Sequence, residues 1–152
     1  MKIVAQRVSR SSVAVDGKMI GEIGPGMCIL VGVAPEDTER EAVWTANRIT
    51  DLRIFEDQDG KMNKSLLEVG GEALIISQFT LYADCRKGRR PSFSGAASPG
   101  AAEALYELFA KRVVERGIAV RTGVFGADMR VEIVNEGPVT IILDTATDMP
   151  HK

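Results

Sequence analysis

The chain has 152 residues, 45% hydrophobic and 26% charged, with a formal net charge of -2. That length suits one domain with a sizeable core, and so balanced a charge excludes a generally basic nucleic-acid binder, so any basic site must be local. No apolar run is long enough to span a bilayer, and Met1-Lys2-Ile3-Val4 does not start a secretion signal, so the expectation is a cytoplasmic protein without a membrane partner.

Taken in chain order, Lys2 to Val8 alternates apolar and polar residues and predicts a half-buried strand. Val13 to Ile20 carries Asp16-Gly17 between two short runs, the pattern of a hairpin with a two-residue turn. Gly24-Pro25-Gly26 reads as a turn, and Met27 to Val33 as a central strand buried on both faces. Thr38 with Glu41 forms a capping-box pattern and opens a helix to about Leu52, with Ala42, Val43, Ala46 and Ile49 facing the core. Trp44 lies beside that stripe and reads as a packed or interface residue. Ile54-Phe55 is a short strand closed by a turn from Asp57 to Gly60. The acidic residues Asp51, Glu56, Asp57 and Asp59 lack the ligand spacing of a calcium loop and read as a solvated turn.

Ala73 to Thr80 predicts another strand, and Asp84 to Pro99 a long loop. Ser98 and Pro99 are the cap and first residue of a second helix to about Arg116, with Ala101, Leu105, Leu108, Phe109 and Val113 inward and Gly117 as its stop. Strands near Ile118 to Arg121, Met129 to Val134 and Val139 to Leu143 complete the set, and the tail after Asp144 is expected to be loose. These elements predict an α/β protein: antiparallel-rich β-sheets forming a barrel-like core, with two main helices packed outside. Residues 1–145 make a single domain and residues 146–152 a polar C-terminal tail.

Absences narrow the chemistry. The only histidine is His151 in that tail, which argues against Ser-His-Asp and Cys-His mechanisms and against a His-based zinc site. Cys28 and Cys85 are distant and lack metal spacing, and read as reduced thiols. Gly21 to Gly26 has the wrong spacing for a dinucleotide fingerprint, and no P-loop ending exists. An enzyme built from this chain is expected to use no metal and no cofactor.

Three stretches remain. Ser77-Gln78-Phe79-Thr80 interrupts an apolar strand with three hydrogen-bonding side chains, which either merely end the strand or line a pocket. None is a base at neutral pH, and Thr80 as a nucleophile lacks an activating partner. Arg86-Lys87-Gly88-Arg89-Arg90 puts four cations in five residues, either a solvated surface or a set of phosphate contacts. Asn135-Glu136-Gly137-Pro138-Val139-Thr140 reads plainly as a turn between two strands, or else as a stiff corner presenting backbone carbonyls to a ligand; the cis or trans state of Pro138 is open at this point.

Together with Gly123-Val124-Phe125-Gly126-Ala127-Asp128-Met129, the segments Ser77 to Tyr82 and Asn135 to Thr140 closely resemble the D-aminoacyl-tRNA deacylases, over Met1 to about Asp144. The resemblance implies a homodimeric, metal-free editing hydrolase. Its substrates are D-aminoacyl-tRNA and glycyl-tRNA, including glycine mischarged on a tRNA such as tRNA-Ala. It implies that Ser77, Gln78, Phe79 and Thr80 line the pocket, and that a cis Gly137-Pro138 from the other subunit reads chirality. It also sets Arg7 against the Gly-Pro carbonyls. Thr80 is either nucleophile or positioning group, and the lack of a base favours positioning. Arg86, Lys87, Arg89 and Arg90 are the candidates for tRNA phosphates. The competing readings are a non-catalytic RNA-binding β-barrel that uses the 86–90 loop, and a structural dimer in which the Gly-Pro turn has no chemical role.

Overall fold

One long strand, β1 (Lys2–Val15), organises the molecule in the computed structural model, which describes residues 1–151. It unites the two stretches that the sequence pattern separated. Asp16 and Gly17, with φ of 50° and 77°, turn the chain into β2 (Lys18–Ile23), as the Asp-Gly pair predicts. β3 (Gly26–Gly32) then lies antiparallel to the first half of β1, with Lys2 opposite Gly32 and Val8 opposite Gly26. Helix α1 (Glu39–Asp51) starts at a complete capping box, with the Thr38 amide donating to Glu41 Oε2 at 2.8 Å. A small separate hairpin follows, β4 (Phe55–Glu56) and β5 (Met62–Lys64).

β6 (Glu72–Ser77) runs parallel to β3, and helix α2 (Pro99–Glu115) leads to β7 (Ala119–Thr122), parallel to β6. β8 (Arg130–Asp144) runs antiparallel along almost the whole of β1, and a short helix α3 (Thr145–Asp148) ends the fold. The strand order is β2-β1-β3-β6-β7, with β8 also on β1. The sheet curls until a Cβ built on Gly21 of β2 meets Arg121 Cβ and the Thr122 carbonyl of β7, each at 3.4 Å. This is the expected α/β architecture, a nearly closed barrel-like sheet carrying helices outside.

Both faces of the central strands are covered, so β3 and β6 are continuously apolar. Met27, Ile29 and Val31 join Ala42, Ala46, Ile49, Phe109 and Val113 under the helices, whereas Cys28, Leu74 and Ile76 meet Val8, Val13 and Ile23 inside the barrel. Burial pushes the Cys28 thiol up to about 11, so it serves as an inert core residue. Among the described residues no helix is long and apolar enough to cross a membrane.

The structure corrects several expectations. The buried stripe of α2 is Ala102, Tyr106, Phe109 and Val113; Ala101 is exposed, and Leu105 and Leu108 are only half-buried. Tyr106 turns inward because its hydroxyl finds a buried acceptor, the Ile75 carbonyl at 2.7 Å. Ser98 caps α2 by position only, without a side-chain hydrogen bond. The tail is held as far as Pro150: the Thr145 amide donates to the Met1 carbonyl at 2.9 Å, Met149 is buried, and Arg40 Nη2 donates to the Pro150 carbonyl at 2.9 Å. Lastly, 130–134 and 139–143 are parts of one strand, which begins one residue after Met129, so Asn135 to Thr140 is a bulge within β8 and not a turn that reverses the chain.

Candidate active site

β6 leaves the sheet in two stages. Its pairing with β7 stops at Ile75 opposite Thr122, while its pairing with β3 continues to Ser77 opposite Val31. The Gln78 amide makes one more bond, to the Val31 carbonyl at 2.8 Å, and the chain then coils into a 3-10 turn over Phe79–Tyr82. The predicted strand to Thr80 therefore ends three residues early. The turn sits across the end of β3 because residue 32 is glycine: a Cβ there would lie 3.1 Å from Leu81 Cβ and 3.2 Å from the Gln78 carbonyl. As the leading amides of that turn, the N–H groups of Phe79 and Thr80 have no acceptor within it.

Beside this turn lies a cavity of about 510 Å³. Ile76, Ser77, Gln78 and Phe79 form one wall, Val31 and Val33 another, and Phe93, Ala96, Ala97, Pro99 and Ala102 a third. Phe125, Gly126, Ala127 and Met129 of the β7–β8 connection close it, together with Val131 at the start of β8. Phe79 and Phe93 meet edge-on with centroids 5.1 Å apart, and Phe125 packs on the buried Tyr106 ring at 6.0 Å. No lining side chain is ionisable; Ser77 and Gln78 supply the polar side-chain groups. Thr80 stands outside the lining, and its Oγ1 accepts a hydrogen bond from Gln78 Nε2. Among the described residues no group of three His, Cys, Asp or Glu side chains converges as a ligand set.

Of the residues singled out in the sequence, Ser77, Gln78 and Phe79 stand together on one wall of this cavity. Sequence reasoning did not assign the Phe93 to Ala102 wall or the Phe125 to Val131 wall, although the Gly123 to Met129 segment stands out in the sequence and was the available signal.

The cationic loop is tethered at the cavity mouth. Asp84 and Ser92 exchange backbone hydrogen bonds of 2.7 and 2.9 Å, which closes the 86–90 segment into a finger one residue before Phe93. Arg86 is committed to Asp84 through bonds of 2.9 and 2.7 Å, and its guanidinium holds that carboxyl below the usual carboxylate range. Lys87, Arg89 and Arg90 are exposed and, among the described residues, make no ion pair.

Gly137 and Pro138 are not part of this cavity. They sit on β8, in the stretch where its pairing with β1 shifts register, and neither lines the cavity. Their peptide bond is cis, and both residues are exposed. Arg7 lies beneath the corner, buried to 6% exposure, and donates through Nη1 to the Ile54 carbonyl at 2.9 Å and through Nε to the Glu136 carbonyl at 3.2 Å. The expected partners, the Gly-Pro carbonyls, are thus replaced by the carbonyl just before them.

Comparison with known proteins finds relatives along almost the whole chain. The family described as D-Tyr-tRNA(Tyr) deacylase matches residues 4–144. The chain is 58% identical over 145 residues to a D-aminoacyl-tRNA deacylase of Desulfatibacillum aliphaticivorans, spanning 95% of this chain and 99% of that one. It is 54% identical over 145 residues to a D-aminoacyl-tRNA deacylase of Bacillus cereus, with the same coverage. Among solved structures, one titled c-Myc DNA Unwinding Element Binding Protein superposes with a TM-score of 0.89 at 43% identity, over 95% of this chain and 98% of that one. A probable eukaryotic D-amino acid tRNA deacylase shares the fold, with a TM-score of 0.81 at 20% identity over 93% and 97% of the two chains.

Proposed function

The chain belongs to the D-Tyr-tRNA(Tyr) deacylase family, and from that premise we propose that it hydrolyses the ester between a D-amino acid and tRNA, releasing both. The observation that carries the mechanism is a cavity with polar groups at the end of β6 and no ionisable side chain in its lining. A site of this kind works by positioning, because it holds neither a general base nor an activated nucleophile. The aminoacyl ester suits it: the substrate brings a vicinal 2'-hydroxyl and an amine next to a reactive carbonyl. Ser77 and Gln78 orient the ester and the attacking water, which contributes several kcal/mol through proximity. The Phe79 and Thr80 amides meet the developing oxyanion, each worth roughly 2.7–4 kcal/mol. Thr80 acts through Gln78, holding the amide in place.

Chirality is read by exclusion. The Gly137-Pro138 corner does not line the cavity of its own chain, and in this reading it serves the cavity of a second copy in a homodimer. A rigid corner there leaves no room for an L side chain at Cα. Glycine has no side chain to exclude, so glycyl-tRNA also reacts. The enzyme works in the cytoplasm, where its tRNA substrates are. Lys87, Arg89 and Arg90 reach tRNA phosphates from the mouth of the site.

The direct test is release from D-Tyr-tRNA and L-Tyr-tRNA by pure protein with a chelator present. Rapid release from the D substrate alone is expected; equal rates, or abolition by the chelator, sinks the proposal. In the same assay Thr80→Ala retains turnover within about tenfold of wild type, the scale of one lost hydrogen bond. Complete loss in a folded variant reassigns Thr80 as a nucleophile.

Joint replacement of Arg89 and Arg90 by Ala flattens the dependence of log binding on log salt by roughly 0.7–0.9 per lost phosphate contact. Arg86→Ala changes it less, because Asp84 already occupies that guanidinium. A slope that persists in the double variant moves tRNA binding elsewhere. Binding with a salt slope but no release from either substrate is the signature of the non-catalytic RNA-binding barrel.

A further inference from the structure

The bulge that carries Gly137 and Pro138 has a closure of its own. Thr140 pairs with Gln6 and Asn135 with Val8, so β8 takes five steps where β1 takes two, and the extra residues leave the ladder. A bulge of that size strips Val139 of its ladder partner. The side chain of Asn135 replaces that partner. Its Nδ2 donates to the Val139 carbonyl at 3.1 Å, and its Oδ1 accepts from the Val139 amide at 3.1 Å. This reciprocal pair imitates the exchange of bonds between opposed residues of an antiparallel ladder. Thr140 Oγ1, bonded by Gln6 Nε2 at 3.2 Å, then fixes the returning strand to β1.

The corner is therefore tied at two points. Arg7 holds the departing backbone at the Glu136 carbonyl, and Asn135 holds the returning backbone at Val139. We infer that Asn135 is a specificity-determining positioning residue: its two amide hydrogen bonds set where the corner stands, and discrimination between D and L substrates depends on both. The inference rests on the reading that this corner of a second copy screens the substrate. Only a side-chain amide both donates and accepts here; an ionised Asp accepts only, and sets a lone pair against the Val139 carbonyl. The charged groups around the bulge are Arg7 from β1, Glu56 from β4 at 3.9 Å from Arg7 Nη2, and Glu136 on the bulge itself.

The test compares wild type, Asn135→Ala and Asn135→Asp on D-Tyr-tRNA and L-Tyr-tRNA, with thermal unfolding measured on the same samples. For Asn135→Ala the ratio of D to L kcat/KM drops by at least about tenfold through faster L release, while the D rate stays within about threefold of wild type. For Asn135→Asp the ratio is low near about pH 8 and recovers only as the pH falls to about 4 and below, where an ordinary aspartate gains a proton and with it a donor for Val139. Wild type measured over the same range is the control for pH effects that do not come from residue 135. A role in the fold alone moves the unfolding temperature without this pH-dependent recovery. An unchanged ratio in folded Asn135→Ala, a pH-independent ratio in Asn135→Asp, or failure of both variants to fold overturns the inference. Failure of wild type to discriminate overturns the functional reading, and the inference with it.

Discussion

Gly26→Ala lowers the unfolding free energy by at least about 3 kcal/mol, the range of severe single-site effects, and moves the thermal midpoint down by roughly 6–12 °C. The reason is geometric. Gly26 pairs with Val8 on one side and Glu72 on the other, and a Cβ built on it would stand 1.8 Å from the Glu72 carbonyl oxygen, 2.7 Å from its amide nitrogen and 2.8 Å from its carbonyl carbon. All three are backbone atoms, so no rotamer change relieves the overlap and the parallel β3–β6 pair must separate at its origin. β6 ends at Ser77 and hands the chain to Gln78, so deacylation falls together with stability. Urea unfolding of the purified variant checks this. A loss under about 1 kcal/mol shows that β6 enters the sheet by another route.

That glycine also shows where sequence reasoning reached its limit. Gly24-Pro25-Gly26 looks like a turn, and the turn is real, but nothing local announces that its last residue is pressed against a strand some forty-five residues later. Features that depend on near neighbours were legible: the Thr38 capping box, the Asp16-Gly17 turn, and the continuous apolar run of β3. β8 was read as two strands because a Gly-Pro interruption looks the same whether the chain reverses or resumes its course. The partner strand β1 decides between these outcomes, and it lies more than a hundred residues away. The inward face of α2 was misread for a related reason. Tyr106 turns toward the core because of a carbonyl on β6, which no helical periodicity reveals. The cavity was half legible: its polar wall is one contiguous segment, whereas Phe93 and Phe125 arrive from separate loops and meet it only in three dimensions.

Gly137→Ala separates a chemical corner from a structural one. Residue 137 has φ of +123°, which an alanine rarely adopts, and an added Cβ would lie 2.9 Å from Val139 Cγ2 and 3.0 Å from Arg7 Nη2. Arg7 has little room to yield, since the Ile54 and Glu136 carbonyls already hold it. The corner must shift instead, and the bulge lies outside the ladder, so the shift reaches the core chiefly through the buried Val139 side chain. The ratio of D to L kcat/KM for Tyr-tRNA is therefore expected to fall at least about a hundredfold, as a steric filter displaced by a fraction of an ångström ceases to exclude. The midpoint of unfolding moves by only about 2–8 °C, the scale of one strained residue. Gly60→Ala supplies the control, because Gly60 has φ of +73° with nothing within 4 Å of an added Cβ, so it carries the backbone strain without the contacts. If Gly137→Ala merely matches that control in stability and keeps the wild-type D to L ratio, the corner is a structural turn and chirality is read elsewhere. A collapsed ratio with stability near the control places the discrimination in the few ångströms between Gly137, Val139 and Arg7.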